Sequence, residues 1–301
     1  MVEHTGTVSF SYGDEVFYTW YKIVGDLKSG VRSLMTLHSG PGISHHYMLA
    51  HVELMERTNA SVVFYDQIGI GQSKHLPKKP NDFWTVEFFM DELENLLAHL
   101  GIEDDFDLLG HSWGGMLGSQ FAAMRAPKGL KHLLIANCSA SMELSRKAGE
   151  KLIDTLPEDV REAIRRHQRD GTTDSDEYKE AMKVYNKRHI CMLDPWPEDL
   201  LKSFSAKDDD PTVYTAMISA SDTDMMGTLR NWTIASEAHN IVCPTLLVNA
   251  ENDLAQDLGV MPFFKEIPHV KWMHLSQSTH VPFYEESDRY FNILDTFLKV
   301  I

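Results

Sequence analysis

The sequence has few cysteines and no long apolar run, and these absences narrow the class of protein. Its three cysteines are odd in number and far apart, so they indicate neither a disulfide framework nor a metal site: Cys138, Cys191 and Cys243. The start of the chain has no basic segment followed by an apolar one, which predicts that there is no signal peptide. No apolar stretch is long enough to cross a bilayer, so a cytoplasmic protein without membrane contact is expected.

Positive charge is also scarce. The chain carries 28 Lys and Arg residues against 44 Asp and Glu residues, which gives a formal net charge of −16. A nucleic-acid-binding protein needs a basic face, and the sequence shows none, so nucleic acid is not an expected partner. The acidic balance favours a solubilising surface. A second interpretation is that its negative field attracts a cationic or amine-bearing substrate.

Short apolar segments alternate with helical patterns along most of the chain. Residues 8–25 are rich in aromatic and β-branched residues around a Gly-Asp turn, which predicts a β-hairpin. Apolar strands that end in glycine-rich loops are predicted in 31–42 and 61–73, a strand–turn–helix unit in 106–127, and a further strand in 244–253. This alternation predicts an α/β protein whose mostly parallel, twisted sheet is covered by helices on both faces.

The composition of the chain changes after about residue 140. Residues 141–235 are charged and helical in pattern, with acidic turns and an aromatic-proline segment. We therefore predict a helical cap over 141–235, inserted into a core made of residues 1–140 and 236–301. A length of 301 residues suits one core with an inserted subdomain.

The segment Gly110-His111-Ser112-Trp113-Gly114 matches the pattern G-x-S-x-G. It follows a predicted strand and precedes an apolar helix, which is the context that a nucleophilic serine on a sharp turn requires. Small neighbours are needed because the turn is strained, and the start of the helix favours negative charge beside the serine. Ser112 is the predicted nucleophile of an α/β-hydrolase fold; the alternative is a small residue in a tight turn.

A serine nucleophile needs two N–H donors where negative charge develops on the substrate carbonyl oxygen. The first is predicted to be the backbone N–H of Trp113, directly after the serine. The second is predicted in the loop His38–Gly42, sequence HSGPG, where glycine allows close approach to the substrate. Gly40 is preferred there and Ser39 is the alternative; an ordinary surface turn is the competing interpretation.

The acid and the base of such a site follow the serine in the order acid, then histidine. Asp253 lies just past the predicted strand PTLLVNA and is the preferred acid, with Glu251 and Asp257 as nearby rivals. His280 lies past the next predicted strand, in a polar loop, and is the preferred base. Both fall at carboxyl ends of strands, where open α/β sheets bind ligands.

Two other histidines compete with His280 for the role of base. His274 lies inside a strand pattern, which favours a packed side chain. His111 flanks the serine inside the turn and is expected to point elsewhere.

Four segments together resemble the proline iminopeptidases. They are the loop HSGPG, the segment YDQIGIGQS at 65–73, the turn GHSWGGMLG at 110–118 and the segment GTLRNW at 227–232. The resemblance covers nearly the whole chain and is nearest to fungal members and to bacterial L-amino acid amidases. It implies an enzyme that removes an N-terminal residue, often proline, from a short peptide, or hydrolyses a small amino acid amide.

The resemblance also implies that acidic side chains of the cap bind the free amine of the substrate. The family has a glutamate shortly before GTL-x-x-W, where this chain has Asp222, and Asp194 occupies a second acidic position. Solvated surface acids are the competing interpretation of both residues. The chain also has Ser39 and Ile68 in place of the family's usual glycine and arginine, so an ion pair is expected to be missing near Ile68.

Bulky residues of the predicted cap have two open interpretations. Trp196, Tyr214, Met217 and Trp232 either line the substrate pocket or form the core of the cap.

The predicted reaction is a two-step acyl transfer through Ser112 that needs no metal or cofactor. The first alternative is an esterase or another acyl hydrolase that does not recognise a free amine. The second alternative is a binding protein without hydrolytic activity, because a fold alone does not fix a function.

Overall fold

The computed structural model of the chain describes residues 2–219 and 226–299. One eight-stranded sheet runs through it in the order β1-β2-β4-β3-β5-β6-β7-β8. The first two strands pair antiparallel and β2 pairs antiparallel with β4, whereas the other neighbours are parallel. The strands are β1 Glu3–Tyr12, β2 Glu15–Val24, β3 Ser33–Leu37, β4 Val62–Asp66, β5 Phe106–His111, β6 Leu130–Ala136, β7 Thr245–Ala250 and β8 Val270–Leu275.

Helices connect most of these strands, as the alternating sequence pattern predicts. Before β7 they are α1 Val52–Thr58, α2 Val86–Leu100, α3 Trp113–Met124, α4 Met142–Asp154, α5 Glu158–Asp170, α6 Asp176–His189, α7 Glu198–Asp209 and α8 Thr212–Met217. After β7 they are α9 Asp257–Glu266, α10 Pro282–Glu285 and α11 Ser287–Leu298. A short 3-10 helix at His45–His51 precedes α1.

The two faces of the sheet bury separate apolar clusters. One cluster holds side chains of α2, α3 and α9, and the other holds side chains of α1 and α11. The strands in the middle of the sheet are buried along their whole length because helices cover both faces. The predicted fold class, a mostly parallel α/β sheet flanked by helices, is therefore confirmed.

Two turns show how the local sequence sets the ends of these elements. Tyr12 pairs with Glu15 across the predicted Gly-Asp turn, so β1 and β2 form the expected hairpin. The helix α2 ends at Gly101, whose φ of 66° is left-handed and whose N–H donates to Ala98. Glycine adopts this conformation without a steric penalty, which is why it terminates the helix.

Glu92 is a fully buried carboxyl group on α2, next to the position where the arginine expected from the family is replaced by Ile68. Its Oε1 accepts hydrogen bonds from the Thr19 hydroxyl at 2.6 Å and from the Ile68 N–H at 3.0 Å. Its Oε2 has no hydrogen-bond partner among the described residues. Burial raises the pKa of Glu92 from 4.5 to about 8, so the group is protonated at neutral pH.

We expect Glu92→Gln to make the protein less sensitive to alkaline pH. The raised pKa means that the contribution of Glu92 to stability is complete below pH 4.5 and is lost as the pH rises towards about 8. At about 1.4 kcal/mol per pKa unit, the loss amounts to roughly 5 kcal/mol. The glutamine cannot ionise and keeps an oxygen for both hydrogen bonds.

Chemical denaturation at pH 5, 7 and 9 measures this effect. The free energy of unfolding of Glu92→Gln, relative to wild type, should rise with pH. Glu94→Gln on the exposed face of the same helix provides the control, because its pH dependence should match wild type. An identical pH dependence of wild type and Glu92→Gln would contradict the buried, protonated state.

Candidate active site

The turn between β5 and α3 holds Ser112 in a backbone conformation that L-residues rarely adopt. Its φ is 55° and its ψ is −118°. The turn is so tight that a Cβ on Gly110 would lie 2.1 Å from the carbonyl oxygen of Gly114, and a Cβ on Gly114 would lie 2.1 Å from that of Leu37. Both flanking glycines of G-x-S-x-G are therefore required by close backbone contacts, and the strain is the kind that accumulates at functional sites.

The start of α3 supplies N–H groups beside this serine. Ser112 occupies the N-cap position, and the backbone N–H of Trp113 has no hydrogen-bond partner within the described part of the chain. The Trp113 indole is buried and donates to Gln67 Oε1 at 2.9 Å, which fixes the side chain. The free N–H at a helix N-terminus favours a negatively charged ligand atom.

The loop after β3 brings a second donor to the same cavity. Gly40 has a φ of 125°, and its N–H also lacks a partner in the hydrogen bonds of residues 2–219 and 226–299. The Ser39 N–H, in contrast, donates to the Tyr47 hydroxyl at 2.7 Å. Because that donor is already engaged, the geometry favours Gly40 over Ser39 as the second oxyanion donor.

Asp253 and His280 form a buried hydrogen-bonded pair at the carboxyl ends of β7 and β8. The distance from His280 Nδ1 to Asp253 Oδ1 is 2.6 Å, and the side chain of Asp253 is fully buried. The same Oδ1 accepts from the Ala255 N–H at 3.0 Å. A carboxylate that accepts from Nδ1 leaves Nε2 of the imidazole available to take a proton.

The rival acids lie elsewhere on this edge. The side chains of Glu251 and Asp257 are 65% and 61% exposed, and both face His274 at 3.8 and 3.7 Å rather than His280. His274 is itself partly exposed on β8. These positions separate the rivals from the buried pair.

His111, the other rival base, is buried and fully engaged. Its Nδ1 lies 2.9 Å from the Tyr47 hydroxyl and its Nε2 lies 2.7 Å from the carbonyl oxygen of His280. Burial, and then the nearby His280, lower the pKa of His111 well below its ordinary value. Because both of its nitrogens are occupied, His111 is unsuited to move protons to and from a substrate.

One cavity of about 250 Å³ brings these groups together. Ser112, His280, Gly40 and Trp113 all line it, and its remaining walls are mostly apolar. Side chains from α4, α6 and α7, between β6 and β7, contribute to those walls. Examples are Met142, Ile153, Met182, Tyr185, Leu200 and Phe204. An apolar cavity with a few convergent polar groups is typical of a site for a small organic substrate.

Comparison with known proteins identifies the family. The family described as having the alpha/beta hydrolase fold matches residues 32–287. The chain belongs to the α/β-hydrolase family.

Named relatives narrow this assignment. A proline iminopeptidase of Clostridium botulinum is 31% identical over 284 residues, which cover 94% of this chain and 95% of that protein. The crystal structure of a proline iminopeptidase from Mycobacterium smegmatis is 33% identical, covers 97% of both chains and has a TM-score of 0.90. The crystal structure of VinJ is 42% identical, covers 98% of both chains and has a TM-score of 0.93.

These similarities confirm the predicted resemblance to the proline iminopeptidases and the prediction of a hydrolase. The expected likeness to fungal members is not confirmed, since none of the relatives named here is fungal.

Of the two acidic residues predicted to bind the substrate of this α/β-hydrolase, the structure describes one, Asp194. Asp222 lies outside the described residues. Asp194 is exposed, forms an ion pair with Lys187 at 2.8 Å and does not line the cavity. Its position beside a proline and a tryptophan carries no information on side-chain direction, which explains the difference from the expectation.

The bulky residues of the predicted cap divide between the two interpretations. Met217 is fully buried in the main core, and the Trp232 indole donates to Gln120 Oε1 at 2.6 Å; neither lines the cavity. Trp196 packs against the second core cluster. Tyr214 lines the cavity of this hydrolase, so it is the member of the group that is placed to meet a substrate.

Asn137 is a site residue that sequence reasoning missed. It follows β6 directly, and its Nδ2 donates to Asp253 Oδ2 at 2.7 Å, so the two carboxylate oxygens have separate donors. The sequence could have indicated Asn137, because it is a polar residue at the carboxyl end of a buried strand. The same position indicates Asp253. Glu150, exposed on α4, is the acidic side chain among the described cavity residues and was also missed.

Two further observations concern the described part of this hydrolase as a whole. It contains no group of three or more His, Cys, Asp or Glu side chains arranged to hold a metal ion. Within the same residues, no helix combines the length and the apolar character needed to cross a membrane.

Proposed function

We propose that the chain is a serine hydrolase that removes an N-terminal residue, proline or another small apolar amino acid, from short peptides, or hydrolyses amino acid amides. The observation that carries the proposal is a single cavity lined by Ser112, His280 and Gly40, with Asp253 bound to His280 behind it. The similarity to proteins named proline iminopeptidase supports the choice of substrate.

The proposed reaction proceeds through an acyl-enzyme. Ser112 Oγ attacks the substrate carbonyl carbon while His280 Nε2 accepts the hydroxyl proton, and the backbone N–H groups of Trp113 and Gly40 bind the resulting oxyanion. When the carbon–nitrogen bond breaks, His280 gives that proton to the leaving amine. Water then attacks the ester while His280 accepts its proton; when the ester bond breaks, His280 gives this proton to Ser112 Oγ and the amino acid leaves.

Asp253 has an electrostatic role in this scheme. Its buried carboxylate accepts from His280 Nδ1 and stabilises the imidazolium that forms during each step. Asn137 holds the second carboxylate oxygen, which keeps the first one aimed at His280. The chain's own residues supply each proton transfer and each hydrogen bond that the scheme requires.

We further propose that the helices α4 to α8 form a cap over the substrate, within the predicted boundaries 141–235. Side chains of α4, α6 and α7 line the cavity together with Ser112, which supports this role. Asp222, close to the segment GTLRNW, remains the proposed ligand for the substrate's ammonium group. The expected partner is a small molecule or short peptide with a free amine. The proposed location is the cytoplasm, and the free state of the three cysteines is consistent with a reducing compartment.

Steady-state hydrolysis of matched substrates tests the proposal. The p-nitroanilides of proline, alanine and phenylalanine are compared with their N-acetylated forms and with p-nitrophenyl acetate, with Ser112→Ala as the blank. We expect the free-amine anilides to be hydrolysed at least about 100-fold faster than the acetylated ones, since an acylated nitrogen carries no charge and cannot form the proposed ion pair with an acidic side chain.

Two outcomes would overturn the proposal. Turnover of the ester alone would show an esterase that lacks amine recognition. No turnover and no labelling of Ser112 by a fluorophosphonate probe would show a protein without hydrolytic activity.

A further inference from the structure

A chain of hydrogen bonds connects the loop that carries Gly40 with the loop that carries His280. The Ser39 N–H lies 2.7 Å from the Tyr47 hydroxyl, which lies 2.9 Å from His111 Nδ1. His111 Nε2 then lies 2.7 Å from the carbonyl oxygen of His280. All of these groups are buried, so water does not compete for their hydrogen bonds.

The direction of each hydrogen bond follows from chemistry. A carbonyl oxygen only accepts, so His111 Nε2 carries the hydrogen in its bond to His280. His111 is neutral, because burial lowers its pKa well below the ordinary value, and its Nδ1 therefore accepts. The Tyr47 hydroxyl donates to that nitrogen and uses a lone pair to accept from Ser39. Each donor in the chain has an acceptor.

Tyr47 is itself fixed on both sides of its backbone. Its N–H donates to the Ser203 hydroxyl on α7 at 2.9 Å, and its carbonyl oxygen accepts from the Tyr284 hydroxyl at 3.0 Å. Its side chain is 1% exposed and packs against the rings of His111 and Phe283. The phenol is thus a rigid connector between the two loops.

We propose that Tyr47 and His111 are positioning residues that align the oxyanion donor of Gly40 with the base His280. The inference rests on the proposed serine hydrolase mechanism and extends it beyond the Ser112, His280 and Asp253 group. The bond to Tyr47 fixes the N–H of Ser39, one peptide before the N–H of Gly40, which lines the cavity. The bond from His111 fixes the backbone of His280, whose ring must meet both Ser112 and the substrate.

Such alignment acts on the transition state more than on substrate binding. Oxyanion donors stabilise charge that is absent from the bound substrate, so a small displacement of Gly40 lowers kcat and leaves KM nearly unchanged. Loss of packing alone would instead lower the protein's stability without this division between kcat and KM.

The test compares two buried tyrosine-to-phenylalanine variants. Tyr47→Phe removes the connecting hydroxyl. Tyr290→Phe is the matched control, because the Tyr290 hydroxyl bonds His51 Nε2 at 3.0 Å in an equally buried place away from the cavity. We expect Tyr47→Phe to lower kcat about 10- to 100-fold with KM within about twofold, whereas Tyr290→Phe stays near wild type.

The substrates separate this proposal from the proposed function. p-Nitrophenyl acetate requires Ser112, His280 and the oxyanion donors but no amine pocket, so it is used beside the prolyl anilide. If wild type hydrolyses the ester alone, the proposed substrate class is wrong, and the comparison of Tyr47→Phe with Tyr290→Phe on the ester still decides the positioning role.

A double-mutant cycle gives the second measurement. His111→Phe keeps a ring and removes both hydrogen bonds, and the double variant Tyr47→Phe/His111→Phe should be no slower than the slower single variant, since both act through one connection. Multiplicative effects in the double variant would overturn the proposal. So would a kcat for folded Tyr47→Phe equal to that of Tyr290→Phe; circular dichroism establishes the folded state.

Discussion

Ser112→Ala is expected to reduce hydrolysis of both anilide and ester substrates by at least about 10⁴-fold, because it removes the atom that forms the acyl-enzyme. The same variant should lose all labelling by a fluorophosphonate probe. Rates measured under single-turnover and steady-state conditions, together with mass spectrometry of the labelled peptide, check both expectations.

Ser119→Ala is the matched control for this experiment. Ser119 is a buried serine of the same helix, α3, and its hydroxyl donates to the Met116 carbonyl oxygen rather than facing the cavity. We expect the control to label and to hydrolyse substrate like wild type. Residual activity of Ser112→Ala above a few per cent would require another nucleophile and would contradict the proposed mechanism.

Asp253→Asn is expected to lower kcat by roughly 10³- to 10⁴-fold with little loss of folded protein. The substitution keeps the shape of the side chain but removes the negative charge that faces His280 Nδ1 at 2.6 Å. The imidazolium that forms in each step then lacks its buried partner. The amide also has one acceptor oxygen for the three donors that now surround the carboxylate, namely His280, Ala255 and Asn137.

Glu251→Gln provides the control for the acid. Glu251 lies two residues before Asp253 in the sequence, and its side chain is 65% exposed. The activity of Glu251→Gln should therefore remain within about twofold of wild type. kcat and KM of both variants on the prolyl anilide and on p-nitrophenyl acetate decide the question. A large loss of activity in Glu251→Gln, with the activity of Asp253→Asn unaffected, would show that Glu251 is the acid and Asp253 is not.

Much of the fold and of the candidate site could be predicted because their signals are local. The G-x-S-x-G turn needs small residues at fixed offsets from Ser112, and a strand and a helix on either side of it, all within one short segment. Asp253 and His280 each follow an apolar strand directly. The carboxyl ends of parallel strands meet at one edge, so separate segments of sequence predict one site.

The remaining features depend on contacts between residues far apart in the chain. The choice between Gly40 and Ser39 depends on the hydroxyl of Tyr47, and the support of Asp253 depends on Asn137, 116 positions earlier. Asp194 has a suitable charge in a suitable region, yet Lys187 binds it at the surface. Such pairings between distant residues cannot be predicted from local patterns in the sequence.

The protonation state of Glu92 is another feature that could not be predicted from the sequence. Its place on an amphipathic helix does not distinguish a solvated carboxylate from a protonated one, because the outcome depends on Thr19, Ile68 and the burial that the folded sheet provides.

The strained backbone of Ser112 also has a consequence for how the protein responds to selection. A glycine adopts a φ of 55° and a ψ of −118° without the steric cost that a serine bears. Laboratory evolution for heat resistance alone would therefore favour the loss of Ser112, the proposed nucleophile, and a screen for activity must accompany it. Serine at position 112 therefore lowers the stability of the protein but supplies a hydroxyl group. Such exchanges are one reason why natural enzymes are rarely at their maximum stability.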